Sequence, residues 1–365
     1  MRLNAFTFVA IASAVQALAC DRSDATTSRA QKAHLHPAYS RAVAAIARRQ
    51  AVDDSVAVPG ARSILLTEGT KAPRVIVLLH GLTDSPRQFE ALAYLLRADG
   101  NNVYVPRLPR HALRGGSVSA LSGLTEMELR AAADSAVDEA RGLGDSLVIV
   151  GLSMGATMGA WIAQERQVTR VVLIAPAIEP GVIPSLLDRP LVGLADHLPS
   201  ITRPWPTDTT RPDREPGFNS RAAAAIFELG RFVLSEATSS APRTRDIVVL
   251  VNASDRTVKE SATEALAREW SKRGGRVSIF ELPDSLRLQH NIFDPIRGRT
   301  GGGAVLALLR ELAYGRPPTA LVGRMTVSQA RKRSVLLAVV SYVLNGRALA
   351  GGVNGRGGRR LFRER

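Results

Sequence analysis

Cysteine is nearly missing from this chain: Cys20 is the only one in 365 residues. A disulfide within the chain and any paired-cysteine metal or redox site are thereby excluded. Long apolar runs are missing too. The uncharged stretch Leu3 to Ala19 has its apolar centre at about Phe6 to Val15, and Ser334 to Leu344 is the other candidate. Both fall well short of the roughly 20 residues that a membrane-spanning helix needs. Acidic residues run out near the end, where eleven Lys and Arg from Arg316 onward face Glu364 alone. That segment carries +10 of the net charge of +15. The basicity therefore belongs to a tail and is not the footprint of a basic binding domain.

What is present is enough for a folded enzyme-sized domain. Apolar residues make up 45 % of the chain, the share of a globular protein. The length suits one large domain with an insertion, or two domains. Met1 to Ala19 reads as an export signal, with Arg2 as its positive start. Ala17-Leu18-Ala19-Cys20 resembles a bacterial lipoprotein cleavage site, which would make Cys20 the lipidated first residue. Gln16 and Ala17 stand where more apolar residues are usual, so an ordinary cleaved signal stays open. The expected location is outside the cytoplasm, as a periplasm-facing lipoprotein or a periplasmic or secreted protein. Residues 21–58, polar and Ala-rich, read as a tether with one short helix around Ser40 to Arg49.

From residue 59 the pattern changes. Val75 to Leu79, Val103 to Val105, Leu147 to Val150, Val171 to Ile174, Ile247 to Val251 and Val277 to Phe280 are short apolar runs, each expected as a strand, with Val75 to Leu79 and Leu147 to Val150 buried. Helical segments alternate with them. Ser85-Pro86-Arg87-Gln88 offers an N-cap, a proline at N1 and a capping-box Gln, and Thr125 to Glu128 offers a second box. Ile64 to Leu66 opens the sheet, and Ala304 to Tyr314 gives the last helix. The alternation predicts an α/β fold with a mostly parallel sheet flanked by helices. It stops between Pro176 and Arg245, so an inserted cap is expected over about 177–245. The domain is expected to end near 315, with 316–365 as the basic tail. That tail reads either as an interfacial helix near anionic lipid or as a solvated extension.

The chemistry gathers at strand ends. Gly151-Leu152-Ser153-Met154-Gly155 follows one buried strand and opens a helix. The turn leaves Ser153 exposed at the top of the sheet, at the positive end of that helix. Asp255 lies just past the strand Ile247 to Val251, and His290 lies in the loop before the last helix. Carboxyl ends of strands are where open α/β sheets place their sites. Each residue has a rival role. Asp255 could cap the following helix, with Glu179 as the alternative acid. His80 reads as a loop-shaping residue, and His111 as either a pocket-mouth or a solvated histidine.

Residues from about Arg74 to Tyr314 resemble the α/β-hydrolase superfamily, in particular its monoacylglycerol lipase, lysophospholipase and carboxylesterase-like branch. The carriers are His80-Gly81-Leu82-Thr83, Gly151 to Gly155, Asn252 to Val258 and His290 to Pro295. The resemblance implies Ser153 as nucleophile, His290 as base, Asp255 as orienting acid, and the backbone N–H groups of Leu82 and Met154 as an oxyanion hole. The implied activity is serine-dependent hydrolysis of carboxylic esters. It needs no metal or organic cofactor, and its substrate is a small or lipid ester. Acyl transfer, amide or C–C bond hydrolysis on the same residues, and a non-catalytic membrane-binding module, remain alternatives. A membrane surface is expected as partner through Cys20, and nucleic acid is not. Oligomeric state is left open.

Overall fold

The computed structural model describes residues 37–115, 118–181, 200–204, 213–293, 302–318 and 323–325. The stretch expected to be an export signal, Cys20 and the tail beyond 325 lie outside them.

Eight strands build one sheet in the order β1-β3-β2-β4-β5-β8-β9-β10. They are β1 (Ile64–Leu66), β2 (Ala72–Leu79), β3 (Asn102–Val105), β4 (Gly144–Leu152), β5 (Arg170–Ile174), β8 (Asp246–Asn252), β9 (Arg276–Leu282) and β10 (Gly323–Met325). The six central strands pair in parallel; β1 and β10 close the edges antiparallel. Val75 to Leu79 have no exposed surface, because helices cover both faces of the sheet. Each such side chain contributes about 1.5–3 kcal/mol by burial. One face carries the helices α4 (Glu126–Ala140), α5 (Met154–Glu165), α6 (Ser220–Ser239) and α7 (Glu260–Lys272). The other carries α2 (Glu90–Ala98) and α8 (Gly302–Tyr314), which join Ile76, Leu78 and Val150 in a second apolar cluster. A short helix, α3 (Val118–Leu121), precedes α4, and β6 (Thr202–Pro204) pairs with β7 (Gly217–Asn219) beside the sheet.

Three sequence-based boundaries change. The first is the tether. Residues 37–56 form a 20-residue helix, α1 (Pro37–Val56), docked on the domain through buried Tyr39, Ala42 and Ile46. Its apolar stripe is narrow, and its strongest anchor is polar. Buried Asp53 accepts from Ser63 N at 2.8 Å, Ser63 Oγ at 2.6 Å and Arg107 Nε at 2.8 Å. The helix expected around Ser40 to Arg49 is thus present but longer, and its docking rests on partners that apolar periodicity does not reveal.

The second is the cap. The segment expected as an insertion over 177–245 includes α6, whose Ala222, Ile226, Leu229, Val233 and Ala237 belong to the main core. The helix packs closely: a Cβ on Gly230 would lie 2.7 Å from Ala177 O. Small residues such as Ala222 and Gly230 let it sit in the flanking layer. Helix α6 therefore belongs to the flanking layer and not to a cap. The third is the tail, since β10 pairs Arg324 with Phe280 and the sheet extends past residue 315.

Candidate active site

Strand β4 delivers Ser153 into a turn that only a sharply bent backbone can make. Ser153 adopts φ 54 and ψ −115, which is left-handed and costly for a side-chain-bearing residue. The two flanking glycines make the bend possible. A Cβ on Gly151 would sit 2.2 Å from Gly155 O, and one on Gly155 would sit 2.0 Å from Leu79 O. Ser153 N donates to Ile174 O at 2.9 Å, tying the turn to the neighbouring strand. Thr157, one helical turn on, is fully buried. Its Oγ1 accepts from Ala177 N at 3.0 Å and lies 3.2 Å from the Ser153 carbonyl. This staple between the helix and the chain leaving β5 escaped the sequence reading.

The structure brings Ser153, His290 and Asp255 together. His290 Nε2 lies 2.8 Å from Ser153 Oγ, and His290 Nδ1 lies 2.6 Å from Asp255 Oδ2. The second oxygen, Asp255 Oδ1, accepts from Thr257 N at 2.8 Å. A carboxylate accepts and cannot donate, so Nδ1 carries the ring proton and Nε2 is left to accept from the serine hydroxyl. The Asp255 side chain is 5 % exposed and that of His290 is 20 % exposed. Glu179 sits elsewhere, with its Oε2 3.3 Å from Lys259 Nζ.

Leu82 lines the cavity together with Ser153, and Met154 follows Ser153 directly. Met154 is the first residue of α5, so its N–H has no acceptor within the helix. Leu82 follows Gly81, whose N–H is held by Gln88 Oε1 at 2.8 Å. This corrects the capping-box role expected for Gln88. Ser85 does cap the short 3₁₀ helix Pro86–Phe89, but Gln88 turns back to fix the loop that presents Leu82.

Two buried histidines support that loop. His80 Nε2 accepts from Leu108 N at 3.1 Å, so its Nδ1 donates to Gly81 O at 2.9 Å. Burial, and then the neighbouring His111, hold its imidazole well below the usual histidine range. His111 is fully buried and neither lines the mouth nor meets solvent. Its Nδ1 is 2.7 Å from Pro109 O and its Nε2 contacts Leu82 O. The flanking Arg110 and Ala112 both have positive φ, 64 and 53, so the backbone is bent to place this ring. Burial pushes His111 down to about 4, against the two carbonyls, which favour the cation.

Residues 213–215 latch onto the same loop. Buried Asp213 accepts from Ser85 Oγ at 2.5 Å and from Arg87 Nη1 at 3.2 Å. Arg214 Nε lies 3.5 Å from Asp84 Oδ2, and Glu215 Oε1 accepts from Ala112 N at 2.8 Å. Consecutive charges at 213–215 gave no sequence signal, because their partners are some 100 residues away or more. The described residues enclose a cavity of about 290 Å³ over Ser153 and His290. Its wall is mainly apolar, with Leu152, Phe218, Ile226, Phe227 and Val258, and the Arg214–Asp84 pair also lines it. Among the described residues no cluster of His, Cys, Asp and Glu could hold a metal ion.

This sheet, with a strained serine turn at its carboxyl edge, defines a hydrolase of the α/β class. Residues 76–285 match the sequence model of the alpha/beta hydrolase family, and the chain belongs to that family. Solved structures share the fold. One is a metagenome-derived lipolytic enzyme from the study of LipS and LipT, 18 % identical, covering 71 % of this chain and 98 % of its own, with a TM-score of 0.53. The monoacylglycerol lipase of Paleococcus ferrophilus is 20 % identical over 68 % of this chain and 97 % of its own, with a TM-score of 0.50. A soluble variant of the monoglyceride lipase of Saccharomyces cerevisiae is 12 % identical over 69 % and 90 %, with a TM-score of 0.51. No curated protein matches the sequence.

Proposed function

We propose that this chain hydrolyses carboxylic esters through an acyl-enzyme on Ser153. The observation that carries the reading is the continuous chain of contacts from Ser153 Oγ through His290 to Asp255, at 2.8 and 2.6 Å. His290 takes the serine proton as Oγ attacks the ester carbonyl. Asp255 holds the ring tautomer and stabilises the imidazolium. The amides of Leu82 and Met154 meet the developing oxyanion, each contributing about 3–4 kcal/mol in sites of this kind. His290 then protonates the leaving alcohol, and water repeats the sequence to release the acid.

The apolar wall suits an acyl chain, and a cavity of about 290 Å³ is at the small end for a ligand pocket. Simple esters, monoacylglycerols and lysophospholipids are the substrate classes, with shorter chains favoured. Ser153→Ala should abolish turnover of p-nitrophenyl esters and labelling by a fluorophosphonate, with the thermal transition unchanged. Full activity in that variant would overturn the mechanism. Export and lipid attachment at Cys20 are part of the same proposal. Cys20→Ser should release the protein from membranes into the soluble fraction at high salt. Retention on membranes there would place the anchor elsewhere.

A further inference from the structure

Towards the amino end of the strands, away from Ser153 at their carboxyl end, a second cavity of about 280 Å³ is lined by Arg74, Asp99, Arg310, Tyr314 and Arg316. Arg74 is near the amino end of β2, opposite Ser146 on β4, whereas Leu79 is opposite Gly151 beside the serine turn. Five strand residues separate the two levels, roughly 16 Å at about 3.3 Å each. This basin is no part of the ester site.

Its floor is a fixed polar network. Asn101, 5 % exposed, donates from Nδ2 to the Tyr314 hydroxyl at 2.7 Å and to Leu96 O at 2.7 Å. The Tyr314 hydroxyl donates to Asp99 Oδ2 at 2.6 Å. Arg310 grips both oxygens of Asp99, with Nε 2.6 Å from Oδ2. The one carboxylate lining the basin is therefore already occupied by one guanidinium and one hydroxyl. Two guanidinium groups remain. Arg74 and Arg316 both lie over the Tyr314 ring, 4.9 and 5.2 Å from its centre. Among the described residues neither forms an ion pair, and Arg74 has only a long 3.5 Å contact to Asn101 Oδ1. Cation–π contact places these two cations but does not cancel their charge. Three arginines against one aspartate leave the basin at +2.

We propose that this basin binds a phosphate-bearing anion, held by Arg74 and Arg316 on the Tyr314–Asp99–Arg310 floor. A phosphate monoester carries about −1.5 to −2 at neutral pH, which matches that surplus. Guanidinium forks fit phosphate oxygens in pairs, and such charge-assisted bonds are the strong ones. The pre-bonded floor keeps Asp99 from competing with the incoming anion. The shared chemistry is the phosphoryl group, and a free phosphate or a phospholipid headgroup could supply it.

The test uses the full chain. Inorganic phosphate is titrated calorimetrically at constant ionic strength, and phosphatidylcholine vesicles with and without phosphatidate are tested by flotation. The comparison is the double variant Arg74→Gln/Arg316→Gln, with Arg243→Gln as a charge control. Saturable phosphate binding that weakens roughly tenfold or more in the double variant, and not in the control, is the result expected for a free anion. Binding confined to phosphatidate vesicles, and lost in the double variant, assigns the headgroup. Hydrolysis of a soluble ester should stay unchanged in both variants, which shows that the fold is intact. No binding of either probe, or equal binding by wild type and double variant, overturns the site.

Discussion

Asn252 Nδ2 donates to Gln289 O at 3.1 Å, so the end of the acid strand holds the loop that carries the histidine. The same nitrogen donates to Leu288 O at 3.1 Å, and Asn252 Oδ1 accepts from Ser254 N at 3.2 Å. One side chain thus sets the positions of Asp255 and His290 together. Asn252→Ala should lower kcat by roughly 10- to 100-fold with little change in KM, since misplaced catalytic groups cost rate rather than binding. Asn252→Asp keeps the acceptor but loses the donor, and should be nearly as slow. Equal losses in kcat and in substrate affinity would instead point to a general collapse of the pocket.

The acid can be identified separately. Asp255→Asn removes the acceptor that fixes the His290 tautomer and should cost about 10³–10⁴ in kcat. Glu179 is paired with Lys259, so Glu179→Gln should stay within about threefold of wild type. Steady-state rates on one soluble ester settle the matter, and the reverse ranking would make Glu179 the acid.

Much of this arrangement is legible in the residues alone, and the reason is local. Buried parallel strands announce themselves as unbroken runs such as Val75 to Leu79, and the serine turn needs glycines at fixed offsets. The parts that escape detection are held by partners distant in sequence. Asp53 anchors α1 through Ser63 and Arg107, and Asp213 finds Ser85 and Arg87 across more than 120 residues. Polar side chains of this kind look like solvated surface until their partners are placed. Gln88 shows the same limit at short range, where two hydrogen-bonding roles fit one sequence and only the fold chooses.

Gly155 tolerates nothing larger. In Gly155→Ala the new methyl would lie 2.0 Å from Leu79 O and 2.8 Å from His80 O, both backbone atoms that cannot rotate away. The α5 helix would have to lift off β2, dragging Ser153 with it. The variant should lose the proposed esterase activity and about 1–3 kcal/mol of stability in urea unfolding, as overpacked sites do. A variant that is stable and active would mean that the turn relaxes far more than its contacts allow.

The latch at 213–215 should govern the site through the loop it holds. Asp213→Ala leaves Ser85 Oγ and Arg87 without their buried acceptor, a cost of about 1–3 kcal/mol in the local structure. The loop bearing Leu82 would loosen, so kcat should fall and protease cleavage near residue 213 should rise. Limited proteolysis and kinetics on the same sample test both, and unchanged rates with unchanged cleavage would remove the latch from the mechanism.

Acid should weaken this fold before carboxylates titrate. His80 and His111 are buried beneath the loop that carries Leu82, and burial lowers the proton affinity of both, His111 to about 4. In the unfolded chain a histidine titrates near 6.5. Between those values the unfolded state binds protons that the folded state refuses, so stability rises with pH across the window and falls as pH drops from about 6.5 to about 4. Below that, His111 is protonated in both states and its share of the loss is complete. For His111 alone this is on the order of 3 kcal/mol. His80 adds to it, because protonating Nε2 removes the acceptor for Leu108 N–H. His111→Gln has no proton to gain. Its unfolding free energy should therefore depend less steeply on pH between 6.5 and 4.5 than that of wild type, whatever its stability at pH 8. Urea titrations at four pH values across the window measure the two slopes. Parallel lines would show that His111 takes up no proton on unfolding and that its burial is not what makes the loop acid-sensitive.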